Sequence, residues 1–299
     1  MTEIHPAQTK PTEIVNIGRE QVCLVETGPP DGPPLLLSSG LGGAWFDWLP
    51  TVALLQARYR VIVVDRPGLG LSPAGLAAPS LRRDTALLAG LAERAGRPVT
   101  VLAHSMAAFY AEALARLHPE LVRGLVLVDP SCERDPRAWL RLATLLLPFT
   151  KATGAALGAT RLAKVIGPLG RRLVLKRTSR RDEPVPADVV RSVYGRGTVL
   201  GTIMAEELAY QEVAADLVAL RERRPFPPIP LVVITALGDI KNPDKAREWS
   251  DGHRLLAAMS PQGSQVELLD SLHMVHLDRP DAVADAVAMV VDHRSEESA

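Results

Sequence analysis

The chain alternates two kinds of apolar pattern. Short continuous runs recur along it: "PPLLLSS" (33–39), "RVIVVD" (60–65), "PVTVLAH" (98–104), "GLVLVD" (124–129), "PLVVIT" (230–235) and "SQVELLD" (264–270). Runs of this length suit strands buried on both faces, as in a parallel sheet. Ahead of them, "EIVNIGREQVCLVET" (13–27) reads as two short strands joined at Gly18. Between the runs, apolar residues return at helical spacing. "WFDWLPTVALLQARY" sets Trp48, Val52, Leu55 and Tyr59 on one face. A second helix is expected from Met106 to His118. A third, from about Asp281 to Val291, carries the stripe Val283, Ala286, Val287, Val290. Strands alternating with helices predict an α/β fold with a mostly parallel, doubly wound sheet.

The alternation stops between Ser131 and about Pro227. That stretch is helical in pattern, is broken by "IGPLG" and "DEPVP", and is too long for a plain loop in a compact domain. It reads as a helical cap inserted above the sheet. The expected division is a core of residues 1–130 and 228–299 and a cap of residues 131–227. The first part of the cap, "AWLRLATLLLPF" (138–149), is strongly apolar and suggests an apolar pocket. Between Arg161 and Arg181 there are then eight Lys or Arg residues and no acid. A solvated cationic face whose apolar side packs on the core accounts for that pattern. Contact with anionic groups, on an acidic substrate or a membrane surface, is the alternative.

Charge and cysteines narrow the class. The 299 residues carry 34 Lys plus Arg against 34 Asp plus Glu. A balanced charge argues against a nucleic-acid partner, which calls for a basic excess. Two cysteines, Cys23 and Cys132, make neither a disulfide framework nor a zinc pattern. No apolar run follows the first charged residues, so no signal peptide is expected and the compartment is read as cytoplasmic. No stretch approaches the ~18 uninterrupted apolar residues of a membrane span. The chain alone sets no oligomeric state.

The chemistry starts at "VTVLAHSMAAFYAEALA" (99–115), a strand running straight into a helix with Ser105 at the junction. That is the layout of a nucleophile elbow, G-x-S-x-G, with Ala103 and Ala107 in place of the glycines. The turn would leave the serine at the carboxyl edge of the sheet, where open α/β sheets bind ligands. It would also free the N–H of Met106 at the first turn of the helix for a developing oxyanion. Alanine adds a single methyl where strand and helix approach closely, so the turn should survive.

With "LLLSSGLGG", "VIVVDRPGLGLSP", "LAHSMAA", "HPELVRGLVLVDP", "VVITALGD" and "LHMVHLDRP" in this order, the chain resembles the α/β-hydrolase superfamily over nearly its whole length, in a serine-hydrolase form with a helical cap. The resemblance implies a triad in the order Ser…Asp…His. Ser105 matches the nucleophile, Asp239 the acid and His273 the base. Asp129, at the end of a neighbouring strand, is the alternative acid, and His276 the alternative base. The backbone N–H of Leu41 is expected to join Met106 in the oxyanion hole, with Ser39 in place of the histidine common there. Asp65, Gly68 and Gly70 are expected to fix the neighbouring turn, and His104 to be structural.

The implied activity is serine-dependent hydrolysis of carboxylic esters or related acyl compounds through an acyl-enzyme. No metal and no organic cofactor are expected, and the substrate is a small molecule with an apolar portion. C–C bond hydrolases, lactonases and cofactor-free peroxidases of the same fold share these motifs. So would a ligand-binding member with little turnover.

Overall fold

The computed structural model describes residues 13–133, 135–136 and 142–297. In chain order its elements are β1 (Glu13–Ile17), β2 (Glu20–Thr27), β3 (Pro34–Ser38), α1 (Leu49–Leu55), β4 (Arg60–Asp65), α2 (Leu81–Ala95), β5 (Val99–His104), α3 (Ala107–Leu117) and β6 (Val122–Val128). Four helices follow: α4 (Leu142–Ala159), α5 (Ala163–Thr178), α6 (Ala187–Tyr194) and α7 (Gly197–Arg223). The chain then returns to the sheet with β7 (Leu231–Ala236), α8 (Pro243–Ala257), β8 (Gly263–Leu268), α9 (Val275–Asp278) and α10 (Pro280–Glu297).

The eight strands form one sheet in the order β1-β2-β4-β3-β5-β6-β7-β8. The pairs β1–β2 and β2–β4 are antiparallel, and every pair from β4 to β8 is parallel. β3, β5 and β7 are buried along their whole length, as strands covered by helices on both faces must be. β8 lies at the edge, and of its residues only Leu268 is fully buried. Two apolar clusters pack on the two faces of the sheet. One gathers α2 and α3 residues such as Leu88, Leu91 and Phe109, and the other gathers Phe46, Trp48, Val283 and Val287.

The expected strands and the expected cap are present. The helix expected over "WFDWLPTVALLQARY" is shorter, with a 3-10 turn at Trp45–Trp48 leading into α1. α2 and α8, which the apolar pattern did not single out, are marked by their ends. The Ser80 hydroxyl accepts the N–H of Arg83, and Gly96 closes α2 at a φ of 79°. The Asn242 side chain accepts the N–H groups of Asp244 and Lys245, with Pro243 in the first turn of α8. Side-chain oxygens here satisfy donors that a helix start leaves without partners.

The first residues of "AWLRLATLLLPF" lie outside the described residues; from Leu142 the stretch is α4. α5 differs from expectation. The side it turns to the protein is made of Ala163, Gly167, Arg171 and Leu175. Apart from Leu175, its large apolar residues are turned outward or only partly covered: Leu162, just before it, and Val165, Leu169 and Leu173 are all at least half exposed. Among the described residues no helix is long and apolar enough to cross a membrane.

Candidate active site

Ser105 follows β5 directly and precedes α3, with a φ of 53°. Left-handed backbone is costly for a residue with a side chain and persists only where its surroundings enforce it. Here the Ser105 N–H donates to the Val128 carbonyl at 3.1 Å, and the Ser105 carbonyl accepts from Ala108 at 3.0 Å and Ser131 at 3.2 Å. Ala103 and Ala107 are fully buried on either side of the turn, so the two methyls are accommodated. In a trans peptide the C=O and the next N–H point in opposite directions. The Met106 N–H therefore points back out of the helix start, and no described residue accepts it.

Asp129 follows β6 and also has left-handed backbone, with a φ of 40°. Its N–H donates to the Ile234 carbonyl of the next strand at 2.8 Å. The carboxylate is buried and fully used. Oδ1 accepts the Ala236 N–H at 2.9 Å and the Trp249 indole N–H at 3.0 Å, and Oδ2 lies 2.6 Å from His273 Nδ1. With Nδ1 committed to the carboxylate, Nε2 is the ring nitrogen left to accept a proton.

The structure thus differs from the expected acid. Asp239 lies in an exposed turn three residues beyond the end of β7 and has no hydrogen bond to His273. Asp129, the alternative, holds the histidine. The alternative base is also out of place. His276 is fully buried, stacked on Trp48 with ring centroids 4.5 Å apart and against His104 at 4.5 Å. Neither of its ring nitrogens has a hydrogen-bond partner among the described residues. Burial, with His273 and Arg171 nearby, pushes its pKa down to about 3, so the ring stays neutral.

His104 touches the loop of His273. Its Nε2 meets the His273 carbonyl at 3.0 Å, and burial beside His276 and His273 holds its pKa well below the usual histidine range. A neutral ring donates that bond and pins the loop carrying His273. Asp278 braces the same loop, accepting the Leu272 N–H at 2.9 Å, the Arg180 N–H at 2.8 Å and the Ser179 hydroxyl at 2.7 Å.

The loop after β3 passes beside the serine. A side chain on Gly40 would come within 2.9 Å of Ser105 Cβ and 2.8 Å of His104 Nδ1, so no larger residue fits there. Arg66, fully buried, donates to the carbonyls of Ser39 and Gly40, the latter at 2.9 Å. Because the Gly40 carbonyl is turned toward Arg66, the Leu41 N–H faces away from Arg66, and Leu41 is among the residues that line the cavity beside Ser105. Glu206 of α7 completes the clamp. It accepts from Arg66 at 2.9 and 2.8 Å and from the Gly42 N–H at 2.9 Å, while the Tyr194 hydroxyl donates to the Gly42 carbonyl at 3.0 Å. Ser39 takes the indole N–H of Trp48 at 3.0 Å. Asp65 holds the next turn as expected, accepting the N–H groups of Trp45 and Leu71.

Ser105, His104, His273 and Leu41 share one cavity of about 370 Å³. Its walls include Ile166 and Val174 of α5, Leu200 and Ile203 of α7, and Met274. Two charged groups also line it, Arg171 and Asp47, but they neutralise one another at 2.6 Å, and Glu183 binds the same guanidinium at 2.8 Å. Arg66, Glu206, Tyr194 and Arg171 were not foreseen. Their partners are 12 to 164 residues distant in the chain, and the only local hint is that Glu206 and Arg171 sit among apolar and small residues. Among the described residues no group of three or more His, Cys, Asp or Glu is arranged to hold a metal ion.

A strained serine at a strand-to-helix turn, a histidine on a later loop and a carboxylate at a neighbouring strand end, all at the carboxyl edge of a parallel sheet under a helical cap, define a class of hydrolytic enzymes. The chain belongs to the alpha/beta hydrolase family, whose model matches residues 35–286, and it is an enzyme of that family. A sequence relative, RutD of Stutzerimonas stutzeri (strain A1501), named as a carbamate hydrolase, is 36% identical over 111 residues, which are 36% of this chain and 42% of RutD. The match thus spans about two fifths of that relative's length. Among solved structures, an alpha/beta hydrolase from Nostoc sp PCC 7120 superposes with a TM-score of 0.70 at 18% identity, covering 96% of this chain and 99% of that one. The enol-lactonase from Burkholderia xenovorans LB400 gives 0.66 at 23% identity, covering 94% and 100%. At such identities these likenesses show the fold alone.

Proposed function

We propose that the protein hydrolyses carboxylic esters or related acyl compounds through a covalent acyl-enzyme, with Ser105 as nucleophile, His273 as base and Asp129 as the group that orients the base. The observation that carries this reading is the 2.6 Å contact of His273 Nδ1 with Asp129 Oδ2, beside a serine in left-handed backbone that opens into the same cavity. Ser105 Oγ attacks the carbonyl carbon and passes its proton to His273 Nε2. The N–H groups of Leu41 and Met106 take the negative charge on the carbonyl oxygen, each contributing about 3 kcal/mol of barrier lowering in comparable sites. His273 returns the proton to the leaving group, the C–O bond breaks, and water repeats the sequence on the acyl-enzyme.

The cavity supports this choice of substrate class. Its size suits a small molecule, its walls are mainly apolar, and its one guanidinium is already paired with two carboxylates. An ester with an uncharged, apolar acyl or alkyl group fits these walls. Carbamates, named for the sequence relative, react by the same attack on a carbonyl and fall within the class. The division into a core of 1–130 and 228–299 and a cap of 131–227 is part of this reading, with the cap setting substrate choice.

A fluorophosphonate probe tests it. Wild type is expected to label and Ser105→Ala to stay unlabelled, with a nitrophenyl ester series showing an optimum at a short or medium chain. A folded wild type that fails to label, or a Ser105→Ala variant that labels equally, would sink the nucleophile assignment.

A further inference from the structure

α5 is apolar on two opposite sides. The inner side, Ala163, Gly167, Arg171 and Leu175, packs on the protein. On the outer side Leu162, Val165, Leu169 and Leu173 fall three and four residues apart and so form one stripe. They are 51, 65, 54 and 52% exposed. A stripe of large aliphatic side chains turned to water loses the burial that makes such residues favourable.

One flank of the stripe is cationic. A surface groove of about 850 Å³ runs along one side and carries Lys164, Arg172, Lys176, Arg180, Arg181 and Arg191. None of the six is in an ion pair among the described residues; of the two acids in the groove, Glu183 is taken by Arg171 and Asp182 stands against six cations. On the other side, Ile166 and Val174 are exposed and at the same time line the cavity of Ser105. The outer stripe therefore lies between a positive groove and the mouth of the active-site cavity.

We propose that this face of the cap docks on an anionic lipid surface, with the aliphatic stripe entering the headgroup boundary and the flanking Lys and Arg side chains meeting lipid phosphates. An apolar stripe edged by cations is the arrangement that binds in the plane of a membrane without spanning it. Charge selects the occupant. Two copies of this chain meeting through the stripe would bring two net-cationic flanks, each with six cations and a single acid not already paired, close to one another. An anionic surface instead satisfies both features together. If the site reading above is right, a lipid-dissolved acyl substrate would reach the cavity from this side; the docking itself does not depend on that reading.

The test is sedimentation of the full chain with vesicles of phosphatidylcholine alone and of phosphatidylcholine mixed with phosphatidylglycerol. The expected result is at least about tenfold stronger binding to the anionic vesicles, weakened by salt. Leu169→Ser with Leu173→Ser should abolish it and Arg172→Gln with Lys176→Gln should weaken it, each pair leaving the thermal unfolding transition in place. Equal recovery in the supernatant with both vesicles overturns the proposal. So does binding that inorganic phosphate displaces while the leucine pair has no effect, which would mark the groove as a site for a free phosphate compound. A concentration-dependent dimer in analytical ultracentrifugation, dissolved by the leucine pair without any lipid binding, would assign the stripe to self-association and overturn it equally.

Discussion

The carboxyl edge of the sheet and the cap above it are held by different means. At the edge, Ser105 and Asp129 are strained residues fixed by main-chain bonds to the strand next door, Ser105 to Val128 and Asp129 to Ile234. In the cap, the ties to the core run through buried charges far apart in the chain. Glu206 binds Arg66 across 140 residues and Arg171 binds Asp47 across 124. Main-chain bonds survive most changes of side chain. A buried ion pair does not, because removing one partner leaves the other charge without compensation. The difference separates two tasks. The positions of Ser105 and Asp129 rest on the backbone of the sheet. The shape of the loop carrying Leu41, and the space for substrate, depend on whether the cap's charges stay paired.

The largest expected effect tests the sheet edge. Asp129→Asn keeps an acceptor for Ala236 and Trp249 but turns an amide N–H₂ toward His273. That favours the tautomer with its proton on Nε2, which can no longer accept from Ser105. Turnover of a nitrophenyl ester is expected to fall about 10⁴-fold, the loss such a change brings in comparable triads. Asp239→Asn, in its exposed turn, is expected to stay within about twofold of wild type. The reverse pattern would move the acid to Asp239 and overturn the reading of the 2.6 Å contact.

These two aspartates also mark where the sequence stops being legible. The strand runs, the elbow and the loop of His273 could all be read, because each is a local pattern that the sheet then gathers at one edge. The acid could not be chosen in that way, since Asp129 and Asp239 both come after strand-like runs. What separates them is non-local: the Ala236 N–H, on the next strand, and the Trp249 indole, on α8, meet Asp129, and nothing near either aspartate in the chain announces it. The clamp of Arg66 and Glu206 was hidden for the same reason. The basic stretch misled in another way. Helical spacing shows that α5 has an apolar side but not which side faces the protein, and small residues around Arg171 took the inner position.

The next largest effect tests the cap. Glu206 is fully buried and its neighbour Glu207 is exposed, so the pair is an internal control. Glu206→Ala leaves the Arg66 guanidinium with only carbonyl and hydroxyl partners and frees the Gly42 N–H. A stability loss of about 3–5 kcal/mol is expected from the urea midpoint, as for other broken buried pairs. Glu207→Ala is expected within about 0.5 kcal/mol of wild type. If Glu206→Ala proved as mild as Glu207→Ala, the cap would not be held to the core by charge, and the contrast drawn with the sheet edge would collapse.

The smallest effect concerns the buried ring between the two regions. His276 stacks on Trp48 and meets His104, faces His273 and Arg171, and has no partner for either nitrogen. In the unfolded chain a histidine titrates near its ordinary value of about 6.5, whereas in the fold burial lowers His276 to about 3. Between those values the unfolded state binds a proton that the folded state refuses, so His276 makes stability fall as the pH drops. The slope from this one group approaches about 1.4 kcal/mol per pH unit. His104, lowered in the same direction, adds to the trend. His276→Phe keeps the aromatic stack, removes two unsatisfied nitrogens and cannot titrate. Its stability at neutral pH is expected to equal or exceed that of wild type by about 1 kcal/mol, and the advantage should widen as urea midpoints are followed from pH 7 down to pH 5. Curves for the two proteins that stay parallel over that range would mean that His276 is reached by protons in the folded state, and the ring would then have to be treated as part of the titrating site.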